Sequence, residues 1–203
     1  MSLQTWRVCS HDALRDLLAL FLRQCRFRVT TEVKTWDVPD GEAPGRATTG
    51  RRVPDIIAVD PENNKTYVID LRIAWTISTL GGVDYQTGDL ARAAEDAKMD
   101  HWRWQRENHP DMVHGDTEFV PFGIEISGSL GPQASELIAL AMRWVHGFHD
   151  SDLYHWSAPS FRRYWFARFG LALMRGRTKV AMAAARRQWP AAMRHTGLGS
   201  YAP

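Results

Sequence analysis

Between His11 and Arg23 the apolar residues Leu14, Leu17, Leu18, Phe21 and Leu22 recur at intervals of three and four, the spacing of one buried helical face. Ser10 stands just ahead of that run, where an N-cap is expected. FRVTTEVKTW alternates and is β-branched, which predicts a strand ending near Trp36, and the Pro, Gly and Thr of residues 37–52 predict a loop. VPDIIAVD and TYVIDLRIAW predict two further strands. The turn formers of PENNK between them make a hairpin the simplest connection. After a Gly-containing loop over 76–88, DLARAAEDAKMDHWRWQREN combines strong helix formers with neither Pro nor internal Gly, so a helix is expected. FVPFGIEIS predicts another strand, closed by the turn SGSLGP. PQASELIALAMRWVHGF predicts an amphipathic helix with Pro132 in its first turn. Two more helices are expected over 159–175 and 177–188. The order describes an α/β (α+β) chain, a mixed central sheet of about four strands flanked by helices, with a helical C-terminal extension.

Composition narrows the class. The chain has 203 residues and no break in composition or hydrophobic pattern, which predicts one domain over 1–203. Its core is expected over about 10–150 and a basic helical extension over 151–203. No apolar run approaches the length that crosses a bilayer, so no membrane is expected as a partner. MSLQTWRVCSHD lacks an apolar signal core. Two cysteines are too few for a disulfide framework, which favours a reducing, intracellular compartment.

The net charge of +2 hides an asymmetry. Nine Arg and Lys follow Asp152 with no Asp or Glu among them, leaving 16 basic against 23 acidic residues before that point, a balance of −7 beside +9. Clustered cations of this kind suit a polyanion such as DNA, although the same pattern describes a solvated basic helix face. Arg162, Arg163, Arg168, Arg175, Arg177 and Lys179 are the candidate backbone contacts. Nine tryptophans add surface that can stack on bases, most of it expected in the core.

The chemistry centres on two carboxylates. Pro54 and Asp55 open one strand of the expected hairpin and Asp70 lies within VIDLRI on the other. Hard divalent cations prefer oxygen ligands, so Asp55, Asp70 and the backbone carbonyl of Leu71 form a sensible partial shell for Mg²⁺ or Mn²⁺. A carboxylate in an apolar strand is costly unless paired or bound to metal, which makes Asp70 the strongest single site residue. Glu32 and Glu125 are further metal or water partners, with pairing to nearby Arg as the structural alternative. His101 reads as a packing residue.

The run of Pro54 and Asp55 followed by Asp70 resembles the PD-(D/E)XK, or restriction-like, nuclease superfamily, in which a lysine is expected two residues after the second acid. Here that position is Arg72, and a guanidinium is a poor base. The restriction-like endonuclease domains of site-specific non-LTR retrotransposons are similar in having their lysine displaced onto the following helix, which here contains Ala94, Glu95, Lys98 and His101. The residues from His11 to Asp16, Glu32, and the stretch from Val120 through Glu125 to Gly131 resemble the same branch. The resemblance implies a restriction-endonuclease-like core and a Mg²⁺-dependent endodeoxyribonuclease. Asp55, Asp70 and Lys98 would be its catalytic residues, and Arg72 would stand on the DNA.

It further implies a nuclear setting, DNA as the partner, and a reverse transcriptase region in the same polyprotein that extends the 3′ hydroxyl left by a nick. A small Cys and His zinc knuckle precedes the nuclease in that branch. Cys9 and His11 alone cannot hold structural zinc, and none is expected here. Two other functions stay open: a catalytically inactive DNA-binding module of the same fold, and a resolvase or repair nuclease of the superfamily.

Overall fold

The computed structural model describes residues 3–31, 54–74, 86–108, 117–145 and 160–195. In chain order these form α1 (Leu3–Gln24), β1 (Arg28–Thr31), β2 (Ile56–Val59), β3 (Thr66–Ala74), α2 (Asp89–Asn108), β4 (Thr117–Glu125), α3 (Pro132–Met142) and α4 (Phe161–His195). The strands make one mixed sheet in the order β1-β2-β3-β4. β1, β2 and β3 are antiparallel neighbours, whereas β3 and β4 run parallel, which requires the crossover that α2 provides.

Strand alternation sorts the sheet into two faces. Along β3, Tyr67, Ile69, Leu71 and Ile73 enter one large core with α1, α3 and α4. Val68, Asp70 and Arg72 have the opposite parity and face the α2 side, where Val68, Trp102 and Phe119 form a much smaller cluster. The large core is anchored by an aromatic group in which Phe21 of α1 meets Phe161, Trp165 and Phe169 of α4 at centroid distances of 6.0, 5.4 and 6.0 Å. The thin side is held differently. Glu95 of α2 is buried and accepts backbone N–H groups from Gly123 at 3.1 Å, Gln133 at 3.0 Å and Ala134 at 2.9 Å. One carboxylate thus ties α2 to β4 and to the first turn of α3, whose unpaired N–H groups favour an anion.

Two local devices explain the β-rich half. α1 ends where Arg26 adopts φ 70° and Phe27 N–H reaches back to the Leu22 carbonyl at 3.0 Å, a closure that turns the chain into β1. In the β2 to β3 turn, Asp60 Oδ1 accepts from Glu62 N–H and Asn63 Oδ1 from Lys65 N–H, both at 2.9 Å, while Asn64 takes φ 55°. Short polar side chains fold the turn, as their types predicted.

The boundaries of α1 and α4 depart from the sequence expectations. α1 begins at Leu3, so Ser10 is an interior, buried residue and not an N-cap. The last two expected helices are one continuous α4, and its first turns supply Phe161, Trp165, Phe169 and Leu173 to the main core. Gly176, where a break was expected, is a crossing point: a Cβ there would lie 2.5 Å from Ser10 Oγ of α1. The end of the first expected strand at Trp36, the loop over 37–52 and most of that over 76–88 lie outside the described residues. Among the described residues no helix is long and apolar enough to cross a membrane.

Candidate functional site

β2 begins one residue after Asp55, and its register with β3 pairs Ile56 with Ile69, so one more step sets Asp55 opposite Asp70. Leu71, beyond the last pair of that ladder, has no strand partner there for its backbone groups. Side chains take them instead. Asp55 Oδ2 accepts the Leu71 N–H at 2.7 Å, and His11 Nε2, from α1, donates to the Leu71 carbonyl at 3.1 Å while lying 3.3 Å from Asp55 Oδ2. From the other layer, Lys98 Nζ reaches Asp70 Oδ2 at 2.5 Å. Lys98 is on the stripe of α2 that carries Ala91, Ala94 and Glu95 inward, three residues beyond Glu95. The close seating of α2 depends on Gly123, where a Cβ would lie 2.4 Å from the Ala91 carbonyl oxygen.

The electrostatics follow from this crowding. The hydrogen bond to Asp55 pushes the His11 imidazole up to about 9 against the opposing effect of burial. Burial works against ionising Asp55. The hydrogen bond and charge of His11, the Leu71 N–H and the charge of Lys98 together outweigh it and hold that carboxyl below the usual range. Asp70 is shifted the other way. Burial is the largest influence, Lys98 opposes it, and the charge of Asp55 together with a hydrogen bond between the two carboxyls adds to the rise. Two neighbouring carboxylates pushed apart in acidity, with one cation on each, describe a site of nearly zero net charge.

The donor set suits a hard cation. Two carboxylates and the Leu71 carbonyl are all oxygen, and Mg²⁺ is commonly held by one or two carboxylates, with water and substrate phosphate completing the shell. Among the described residues no three His, Cys, Asp or Glu side chains gather as a ligand group. The carboxylate pair and the carbonyl are therefore the set on offer.

The other expected site residues are placed as follows. Arg72 is exposed on β3, two residues past Asp70 on the same face. Glu125 is four residues beyond the Asp70 level along the sheet, on the order of 13 Å. Its carboxylate is taken up by Gly88 N–H at 2.8 Å, Leu90 N–H at 3.2 Å and Ser127 Oγ at 2.9 Å, so it caps the start of α2. Glu32 and the side chain of Arg177 lie outside the described residues. Arg162, Arg163, Arg168, Arg175 and Lys179 stand on α4, in the layer across the sheet from α2. No hydrogen bond or ion pair among the described residues joins them to Asp55 or Asp70.

Arg168 bonds Tyr164 Oη at 2.8 Å and lies over the Trp165 ring, while Arg175 and Lys179 line a groove of about 310 Å³ with Cys9 and Ser10, adjoining His11. Cys9 is exposed and Cys25 buried, both as free thiols. Two residues were missed as site members. His11 was noted without a role, because its partners are 44 and 60 positions away and meet it only through the packing of α1. Glu95 showed no local signal beyond its place one turn before Lys98. No protein-family model matches the chain, and no curated protein matches it.

Proposed function

We propose that the chain is a divalent-metal-dependent DNA endonuclease with a restriction-endonuclease-like core, nicking target DNA in the manner of the retrotransposon nucleases it resembles. The meeting of Asp55, Asp70, the Leu71 carbonyl and Lys98 at one point carries the reading. The β2 to β3 hairpin and α2 bring together the groups that phosphodiester hydrolysis uses. Asp55, Asp70 and the Leu71 carbonyl would hold Mg²⁺ or Mn²⁺, which supplies charge neutralisation on the scissile phosphate and acidifies bound water. Lys98, anchored on Asp70, points N–H groups at the same space and positions the attacking water against the phosphate. His11 fixes the Asp55 carboxylate and the Leu71 carbonyl in one orientation. Arg72 offers an exposed, fixed charge for a backbone phosphate on the same strand face.

Supercoiled plasmid incubated with Mg²⁺ or Mn²⁺ tests this. Wild-type protein converts it to nicked circles bearing 3′ hydroxyl ends, Asp70→Asn does not, and Lys98→Ala is slower by about a hundredfold to ten-thousandfold. The thermal midpoint of Asp70→Asn is expected at or above that of wild type, because the folded surroundings favour the uncharged form of this carboxyl. Undiminished nicking by Asp70→Asn rejects the assignment. One observation favours a second reading, an inactive DNA-binding module: both carboxylates already carry a cation of the protein itself, Lys98 on Asp70 and His11 on Asp55. Retarded but uncut plasmid at every metal concentration would select it.

A further inference from the structure

On the α2 side of the sheet, further along α2 from Lys98, a groove of about 800 Å³ runs between the β2 to β3 turn and the C-terminal half of α2. We infer that it holds the sugar-phosphate backbone of the DNA strand being cut, three to four nucleotides from the scissile phosphate. This rests on reading the Asp55, Asp70 and Lys98 cluster as the place of that phosphate.

Continuity along α2 is the first argument. Lys98, Trp102 and Arg106 follow one another at four-residue intervals on one helical stripe. Lys98 is on Asp70, Trp102 is against Val68 and Phe119, and Arg106 is in the groove lining. Eight residues of helix rise about 12 Å, and one strand of duplex advances about 3.4 Å per nucleotide, so the distance matches three to four nucleotides.

Charge is the second argument. The lining contains Lys65, Arg103 and Arg106 against a single acid, Glu118, whereas the cluster itself is close to neutral. Lys65 is held by Glu118 and Arg103 by Asp100 at 3.3 Å, while Arg106 has no ion pair among the described residues. Asn63 and Asn64 add amide donors at the mouth.

The groove is also not an apolar docking face. The exposed large apolar residues among those described, Val8, Leu20, Phe166, Leu171, Met174 and Met182, are all on α1 and α4, and none lines this groove. A surface of cations and amides over a buried aromatic floor, with Trp102 and Phe119 stacked at 4.6 Å and 11°, fits a polyanion better than a protein partner.

The test is fluorescence anisotropy of a labelled duplex with the full chain in EDTA, where cutting is silent, repeated across a salt series. Arg103→Gln/Arg106→Gln is expected to bind about tenfold more weakly near 100 mM salt, with the slope of log affinity against log salt shallower by about 1.8. Arg103→Lys/Arg106→Lys keeps affinity and slope near wild type. Equal affinity and slope in the Gln variant, or wild-type protein that does not bind duplex, overturns the inference. Plasmid nicking by each protein is scored separately with Mg²⁺. Nicking with unchanged duplex binding in the Gln variant sinks the groove and spares the nuclease reading. Weakened binding by the Gln variant, with wild-type protein that never nicks, keeps the groove as a duplex-binding surface but overturns the nuclease reading and with it the placement of the cut strand.

Discussion

His11 is held by a carboxylate and a carbonyl, and that pairing makes the stability of the fold depend on pH in a definite direction. Its pKa rises from 6.5 to about 9 on folding, so the folded chain binds a proton that the unfolded chain has released across that interval. The contribution is complete below about pH 6.5 and is lost as pH climbs through 9. Asp55 has the opposite sign. Its carboxyl is depressed in the fold, so its share is present above the usual carboxylate range and lost only as the solution becomes strongly acidic. Wild-type melting temperature is therefore expected to fall between about pH 6.5 and 9, at roughly 2–4 °C per kcal/mol for a chain of this size. In His11→Gln, which keeps a donor and removes the titration, that decline should flatten; an identical decline would assign the dependence to other groups. Asp55 and Asp70 were legible in the sequence as carboxylates in apolar strands, whereas Lys98 was singled out only through the family resemblance; that Lys98 meets Asp70 is what the fold adds. His11 was not legible, because a histidine on an amphipathic helix announces no partner until the helix is laid against the sheet.

At the scale of elements, α2 shows why some boundaries can be read directly and others cannot. Its extent, Asp89–Asn108, follows from an unbroken run of good helix formers, and the β2 to β3 hairpin follows from the side chains that fold its turn. At Ser10 and Gly176 the same local rules point the wrong way, since both residues serve the crossing of α1 with α4 and end nothing. Tertiary contact had the larger say. Gly123 is a third residue of this kind and offers a direct measurement. A Cβ there would meet the Ala91 carbonyl oxygen at 2.4 Å and Glu95 Cγ at 2.7 Å, and a helix backbone oxygen cannot rotate away. Gly123→Ala is expected to cost about 3 kcal/mol or more in urea denaturation, since overpacking at a backbone contact has no side-chain remedy. Gly170→Ala is the control: its Cβ enters open space on a helix, so stability should rise by up to about 1 kcal/mol. Equal behaviour of the two variants would mean that α2 is not seated on β4 as closely as described.

For the whole molecule, the sheet divides two unequal layers, and the division separates what stabilises the chain from what the site needs. The face toward α1, α3 and α4 buries most of the apolar side chains. The face toward α2 buries few and is tied down by the Glu95 hydrogen bonds. Trp165 stands at the centre of the thick layer, 1% exposed, with Phe21, Phe161, Tyr164 and Phe169 around its ring and no hydrogen-bond partner for its indole nitrogen among the described residues. Its contribution is therefore mainly packing, with the Arg168 guanidinium over its ring, and truncation leaves a cavity that the surrounding rings cannot close. Trp165→Ala is expected to lose about 3–5 kcal/mol, with a fall in melting temperature of about 6–20 °C. Because Phe161, Trp165, Phe169 and Leu173 share one core with the sheet, unfolding should remain a single transition with an unchanged denaturant slope. Below its melting range the variant should still nick plasmid if wild type does, since Asp70 and Lys98 meet on the other face. An early, separate transition in Trp165→Ala would instead make α4 an independently melting arm, and the sheet and its carboxylate pair would then have to be stable without it.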